Sequence, residues 1–288
     1  MRRLMILLAV FLVPLGIFAV MVLADQAYGG TGRGYGYVIE VTLPDAGTIA
    51  ALPKIEGPID TSRPLVVIDA GHGGKDPGAG TGQVKEKQLT LAMAIALRDE
   101  LLRKGGIRVA LTRDDDRYLF LGERPAMARQ LGADLFISIH ADSTEGSTEA
   151  FGATVYTLSD RGSSEVAEKM AARENSADSI NGVKVDQQSG DVSAILVDLS
   201  QREALGRSQS FAQLILREGR GNMPFKESAA QSAAFAVLKS PDVPSVLFES
   251  GYINNPLDLA RLSSATGRNA FAQSVAAAIR VFFARNGA

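Results

Sequence analysis

From residue 63 onward, short apolar runs at 65–68, 108–111, 135–139, 153–156 and 245–248 alternate with stretches whose apolar residues recur every three to four positions. Runs this apolar, separated by helix-length segments, point to an α/β fold whose largely parallel sheet is covered by helices. Helices are expected over 88–104, 121–131, 163–176, 202–218 and 265–285, the first showing the spacing in Leu91, Ile95 and Leu102. With 288 residues, 46% of them hydrophobic, there is enough material for one sizeable core. The expectation is a single domain with a twisted, mostly parallel central sheet flanked by helices. No internal repeat and no glycine-rich phosphate loop interrupts this pattern.

Ahead of that domain, Arg2 and Arg3 precede about twenty apolar residues and then a small-residue stretch, the layout of an export signal. Residues 1–24 are expected to be a signal peptide, with Val22, Leu23 and Ala24 offering a cleavage site, or an uncleaved signal anchor in the inner membrane. Residues 25–62, rich in Gly, Pro and Thr with one weak strand-like stretch at 37–43, are expected to be a flexible linker. The formal net charge of −2, with no run of Lys and Arg after the first residues, excludes a long-range pull on polyanions, so no nucleic-acid partner is expected. No cysteine occurs, which removes disulfides and thiolate ligands and leaves His, Asp and Glu to hold any metal.

The chain has two histidines, and each follows closely on an apolar run: His72 in VVIDAGHGG and His140 in LFISIHADS. Ligands of an open parallel sheet bind beyond the carboxyl ends of its strands, where the connecting loops converge. Glu249 ends a third run, 245–248, in the same kind of place. A catalytic zinc site needs three protein ligands and one open position, and imidazole is the commonest protein ligand. Two histidines therefore want an acidic third partner. Glu86, at the end of the glycine-rich segment 73–86 and the start of a helix, is one candidate, although a carboxylate there also suits a helix N-terminus with no metal at all. Asp69 and Asp142 are rivals. Glu249 is the best general base, since partial burial behind Phe248 would raise its pKa toward neutrality.

The ordered series VVIDAGHGGKDPGA, KEKQLTLAMA, LTRDDDRYLFLGERPAMA, ADLFISIHAD and VPSVLFESGYINNP resembles the zinc-dependent N-acetylmuramoyl-L-alanine amidases, known as the amidase 3 family, from about residue 63 to the C-terminus. The resemblance implies Zn²⁺ held by His72, Glu86 and His140, with Glu249 as the catalytic residue. The reaction implied is hydrolysis of the amide between N-acetylmuramic acid and L-alanine of the stem peptide in peptidoglycan. Ser250 and Tyr252 depart slightly from the family pattern, and Gln231 stands where an arginine is frequent, which puts the support of the active-site rim in question.

A long segment, about 149–228, resembles the insert of the cell-division subgroup, in which a helix covers the active site and presents a glutamate to zinc until a LytM-domain activator protein displaces it. On a helix from Ser163, Val166, Met170 and Glu174 fall at four-residue spacing, so Glu174 interrupts an apolar stripe and is the candidate autoinhibitory ligand. The resemblance implies a monomeric periplasmic enzyme of daughter-cell separation. A zinc-dependent cell-wall peptidase and a catalytically inactive zinc-bearing wall-binding module are the alternatives. The first would show a second metal set or an arginine for a terminal carboxylate, and the second would have no use for Glu249.

Overall fold

The computed structural model describes Val20 and residues 52–144, 148–180, 183–184 and 194–286. The chain divides into two units, 1–43 and 44–288, and the second holds the sheet and its helices. The expected export segment and the strand-like stretch at 37–43 lie outside the described residues, Val20 apart. Among the described residues no helix is long and apolar enough to cross a membrane.

Six strands form the central sheet: β1 (Leu65–Ala70), β2 (Arg108–Leu111), β3 (Leu135–Asp142), β4 (Thr154–Leu158), β5 (Gln231–Ala233) and β6 (Ser245–Tyr252). Their order is β2-β1-β3-β6-β4-β5. Every pairing is parallel except β6 with β4, so the expected mostly parallel sheet is observed. The free edge of β2 is closed by Glu56, which exchanges backbone hydrogen bonds with Val109 at 2.8 and 2.9 Å. Parallel neighbours need long crossovers, and these are supplied by helices α1 (Glu86–Lys104) and α2 (Glu123–Gln130). Helices α3 (Glu165–Glu174), α4 (Ala194–Gly219), α5 (Pro256–Ser263) and α6 (Ala265–Asn286) complete the set.

Alternation along the strands sorts their side chains onto two faces. Val66, Ile68, Ile137, Ile139, Val246 and Phe248 join Met93, Leu97, Phe211, Val275 and Ile279 in one apolar core, between the sheet and α1, α4 and α6. Val67, Phe136, Tyr156 and Leu247 face the other way, against Ala128 of α2, Ala167, Met170 and Ala171 of α3, and the 3-10 turn at Ala236–Leu238. On this second face the strands turn polar toward their carboxyl ends, as Phe136 gives way to Ser138 and His140 and Leu247 to Glu249.

Three details differ from the sequence expectation. Helix α1 buries Leu89, Met93, Ala94, Leu97 and Leu101, while Leu91, Ile95 and Leu102 are only half-buried at the margin of the same core. Two helices and a strand lie within or beside stretches read otherwise: α4 begins eight residues before 202, and α5 and β5 were unexpected. Strand β4 and helix α4 fall inside 149–228, so much of that segment is core rather than cover.

Candidate metal centre

His72 lies two residues past β1 with φ at 61°, a left-handed conformation that a non-glycine residue adopts only when its surroundings hold it there. Two buried guanidinium groups do so. Arg124 donates from Nη2 to the His72 carbonyl at 3.0 Å and from Nη1 to the Ala70 carbonyl at 2.9 Å, and Arg113 donates from Nη2 to the Gly71 carbonyl at 2.8 Å. The His72 ring is oriented by Asp76, whose Oδ2 stands 2.7 Å from Nδ1. An ionised carboxylate only accepts, so Asp76 holds the Nδ1 proton, and the neutral ring would leave its Nε2 lone pair for a ligand.

Glu86 is the first residue of α1, and its Oε2 accepts the Ala79 N–H at 2.8 Å while Oε1 accepts the Ala141 N–H at 2.9 Å. Backbone donors from two distant segments thus fix a carboxylate that a plain helix-terminal role would leave to solvent. His140 is not past its strand, as its position after 135–139 had implied, but within the longer β3, where alternation places it on the second face. Ser250, one of the departures noted in the sequence, donates to the His140 carbonyl at 2.7 Å and ties that strand to β6.

These three residues meet, and Glu174 joins them. His72 Nε2 stands 3.0 Å from Glu86 Oε1 and 3.4 Å from Glu174 Oε2, and His140 Nδ1 stands 3.2 and 3.1 Å from the same two oxygens. All four residues are buried, with their ligand atoms within 4.8 Å of one another. His72 Nε2 and Glu174 Oε2 nonetheless make no hydrogen bond of acceptable geometry. His140 Nδ1 and Glu86 Oε1 do meet at hydrogen-bond distance, 3.2 Å, but the two atoms left without a partner point into the same small space, as around a metal ion, and a set of imidazoles and carboxylates without thiolate suits zinc. Burial pushes both imidazoles down, but Glu86 and Glu174, with Asp76 at His72, more than offset it, raising His140 to about 10. Two buried carboxylates call for positive charge between them, which protonated imidazoles or a shared cation can supply.

The rival ligands are placed elsewhere. Asp69 lies under the site, 2.8 Å from Arg124 Nη1, and accepts from Thr112 at 2.7 Å and Ser138 at 2.7 Å. Asp142 is paired with Arg173, which also donates to the Ser143 carbonyl at 2.7 Å and to Glu174 Oε1 at 3.0 Å.

Glu249 lies within β6, in register with His140. Both its carboxylate oxygens are buried without a hydrogen bond. Burial, reinforced by Asp142, pushes its pKa well above the usual carboxylate range.

Helix α3 covers this face. Ser164 caps its start, accepting the Ala167 N–H at 3.2 Å, and Met170 and Ala171 seat it on the second core. Val166, expected on the same stripe as Met170 and Glu174, is 54% exposed, and Ala167 takes its place. The end of the helix is fastened by Asn175, which donates to the Ala234 carbonyl at 2.8 Å and accepts the Ala236 N–H at 2.7 Å. Just beyond, Asp178 accepts the Tyr118 hydroxyl at 2.8 Å and the Leu121 N–H at 2.9 Å. Near its start, Gln231 Oε1 accepts the Ser163 hydroxyl at 2.8 Å, so the residue standing where relatives often have arginine supports the root of α3.

A family model described as N-acetylmuramoyl-L-alanine amidase matches residues 66–281. The chain is 39% identical over 221 residues to the N-acetylmuramoyl-L-alanine amidase AmiA of Escherichia coli (strain K12), an alignment covering 76% of each chain. It is 37% identical over 234 residues to the N-acetylmuramoyl-L-alanine amidase AmiC of Escherichia coli O6:H1, covering 79% of this chain and 55% of that one. Among solved structures, the catalytic domain of CwlV, an N-acetylmuramoyl-L-alanine amidase from Bacillus (Paenibacillus) polymyxa var. colistinus, superposes with a TM-score of 0.54 at 27% identity, over 77% of this chain and 98% of that one.

Proposed function

The chain belongs to the N-acetylmuramoyl-L-alanine amidase family and is a peptidoglycan hydrolase of that kind, and we propose that its chemistry runs at the buried cluster, with zinc held by His72, Glu86 and His140 and with Glu249 as the catalytic carboxylate. The bond cut is the amide between the lactyl group of N-acetylmuramic acid and the first L-alanine of the stem peptide. The observation that carries this reading is the convergence of four buried ligand atoms within 4.8 Å of one another beside Glu249.

Zinc bound there would polarise the scissile carbonyl and acidify the attacking water. Glu249 takes the proton that water gives up as its oxygen bonds to the carbonyl carbon, and returns that proton to the alanine nitrogen as the C–N bond breaks. A carboxylate with a raised pKa suits both halves of that task. Asp76, Arg113 and Arg124 keep His72 in place throughout.

The test is to incubate the purified protein with peptidoglycan, with and without chelator, and identify the fragments. Free stem peptides beginning with L-alanine are expected, lost with chelator and in Glu249→Ala. Cleavage within the stem would favour the peptidase reading, and intact peptidoglycan even with a variant released from its covering helix, such as Glu174→Ala, the binding-module reading.

Glu174 favours a second element of the proposal, that the resting enzyme is autoinhibited: from the end of α3 its Oε2 stands 3.4 Å from His72 Nε2 and 3.1 Å from His140 Nδ1, within reach of a fourth ligand position. Glu174→Ala is expected to raise turnover without an activator, and unchanged turnover would sink the idea. By their layout of arginines before an apolar run, residues 1–24 direct export to the periplasm, by cleavage or as an inner-membrane anchor. By resemblance to the cell-division subgroup, a LytM-domain activator there displaces α3 when daughter cells separate.

A further inference from the structure

Three side chains stand in a row across three adjacent strands. Glu249 of β6 is in register with His140 of β3 on one side and with Thr154 of β4 on the other. All three are on the second face and buried, at 3% exposure for His140 and 2% each for Glu249 and Thr154. Strands lie about 4.8 Å apart, which sets Thr154 about 5 Å from Glu249 and about 10 Å from His140, measured between backbones.

Thr154 Oγ1 has no hydrogen-bond partner, and neither carboxylate oxygen of Glu249 beside it has one. Other hydroxyls around the site are satisfied: Thr90 donates to the Gly71 carbonyl at 2.9 Å, Thr112 and Ser138 to Asp69 at 2.7 Å each, and Ser250 to the His140 carbonyl at 2.7 Å. A buried hydroxyl without a partner destabilises a fold. Valine has the same shape and favours strands equally, so the scaffold has no use for a threonine here.

We propose that Thr154 Oγ1 accepts the N–H of the scissile amide, making it a substrate-contacting residue on the leaving-group side of Glu249. The inference rests on Glu249 being the catalytic carboxylate. The order across the sheet is ligand cluster, carboxylate, hydroxyl, and an amide laid along it has its oxygen at the cluster, its carbon over Glu249 and its nitrogen toward Thr154. Water's oxygen bonds to that carbon as the C–N bond breaks, and water's proton passes through Glu249 to the nitrogen. By holding the existing N–H, Thr154 turns the nitrogen lone pair toward the arriving proton, and the hydroxyl itself ends unchanged.

Thr154→Val, Thr154→Ser and Glu249→Gln are to be made in the full chain, with and without Glu174→Ala, and assayed on peptidoglycan. Thr154→Val is expected to lose about ten-fold in kcat with a smaller change in KM, the effect of one lost hydrogen bond. Serine at that position should return the rate to within about three-fold. The melting temperature of Thr154→Val should equal or exceed the parent's, which a merely structural hydroxyl would not allow. A parental kcat in Thr154→Val overturns the proposal, and so does a fall of its melting temperature in step with the rate. Parental turnover in Glu249→Gln would instead remove the reading beneath it, whatever Thr154 does.

Discussion

At position 71 a side chain would collide with a proposed metal ligand: a Cβ built there lies 2.5 Å from His140 Cε1 and 2.6 Å from its Nε2. Gly71→Ala should therefore displace the imidazole and weaken metal binding by about 10–100-fold, the range seen when support of a ligand is lost. Competition against a chromophoric chelator measures this, and parental affinity would mean that the ring has room to move. Arg124 sets a different kind of limit. Burial raises the Asp69 pKa, but Arg124, with Thr112 and Ser138, more than offsets it and holds the carboxyl below its usual range. Arg124→Met would strand that charge and release the carbonyls of Ala70, His72 and Leu119, at a cost on the order of 3–5 kcal/mol in urea unfolding. A loss under about 1 kcal/mol would show the carboxylate rescued by its hydroxyl donors. His72 and His140 were legible because no other histidine exists and each follows an apolar run. Glu86 and Glu249 needed the motif series. Asp76, Arg113 and Arg124 escaped notice because their partners are backbone atoms and a ligand's far side, which leave no pattern of residue types.

Among the contacts that hold the end of helix α3, two sets can be separated. Glu174 holds it to the ligand cluster, whereas Asn175 and Asp178 hold it to backbone groups at 121, 234 and 236 that have no part in metal binding. Opening the site should then need both sets of contacts to fail. Asp178→Ala combined with Glu174→Ala is expected to exceed the basal turnover of Glu174→Ala alone by a few-fold, since each lost hydrogen bond contributes about 1 kcal/mol. Equal rates in the two chains would mean that the covering helix opens from its other end. The helix was visible in the sequence from its spacing, but its buried face was misjudged by one position at Val166, because a short helix leaves the choice between neighbouring faces to tertiary packing. Helix α5 had an overlooked signal: Asn255 caps it, accepting the Leu257 N–H at 2.9 Å, with Pro256 in its first turn. Strand β5 had none, as three residues reading Gln-Ser-Ala carry no apolar alternation.

Across the whole molecule the sheet divides labour between its faces. The apolar core against α1, α4 and α6 supplies stability, and the polar carboxyl end of the second face supplies chemistry at the expense of buried, unsatisfied groups. A metal that binds only the folded chain adds to its stability by mass action, about 2.7 kcal/mol at one hundred times the dissociation constant. Chelation should lower the melting temperature by about 5–10 °C, reversed by excess zinc. No shift would mean that the cluster is held closed by its own protonated imidazoles. The apolar runs made the sheet legible, yet the face on which the site would open was not, because the runs at 135–139 and 245–248 stop short of the strand ends. The clustered residues come from segments far apart, and Ser250 reaches back 110 residues to the strand that carries His140. Contacts of such span close late in folding. If the chain leaves the cytoplasm unfolded, by the export that its N-terminal layout supports, it would carry no cutting edge in transit, because Glu249 arrives only with the last central strand.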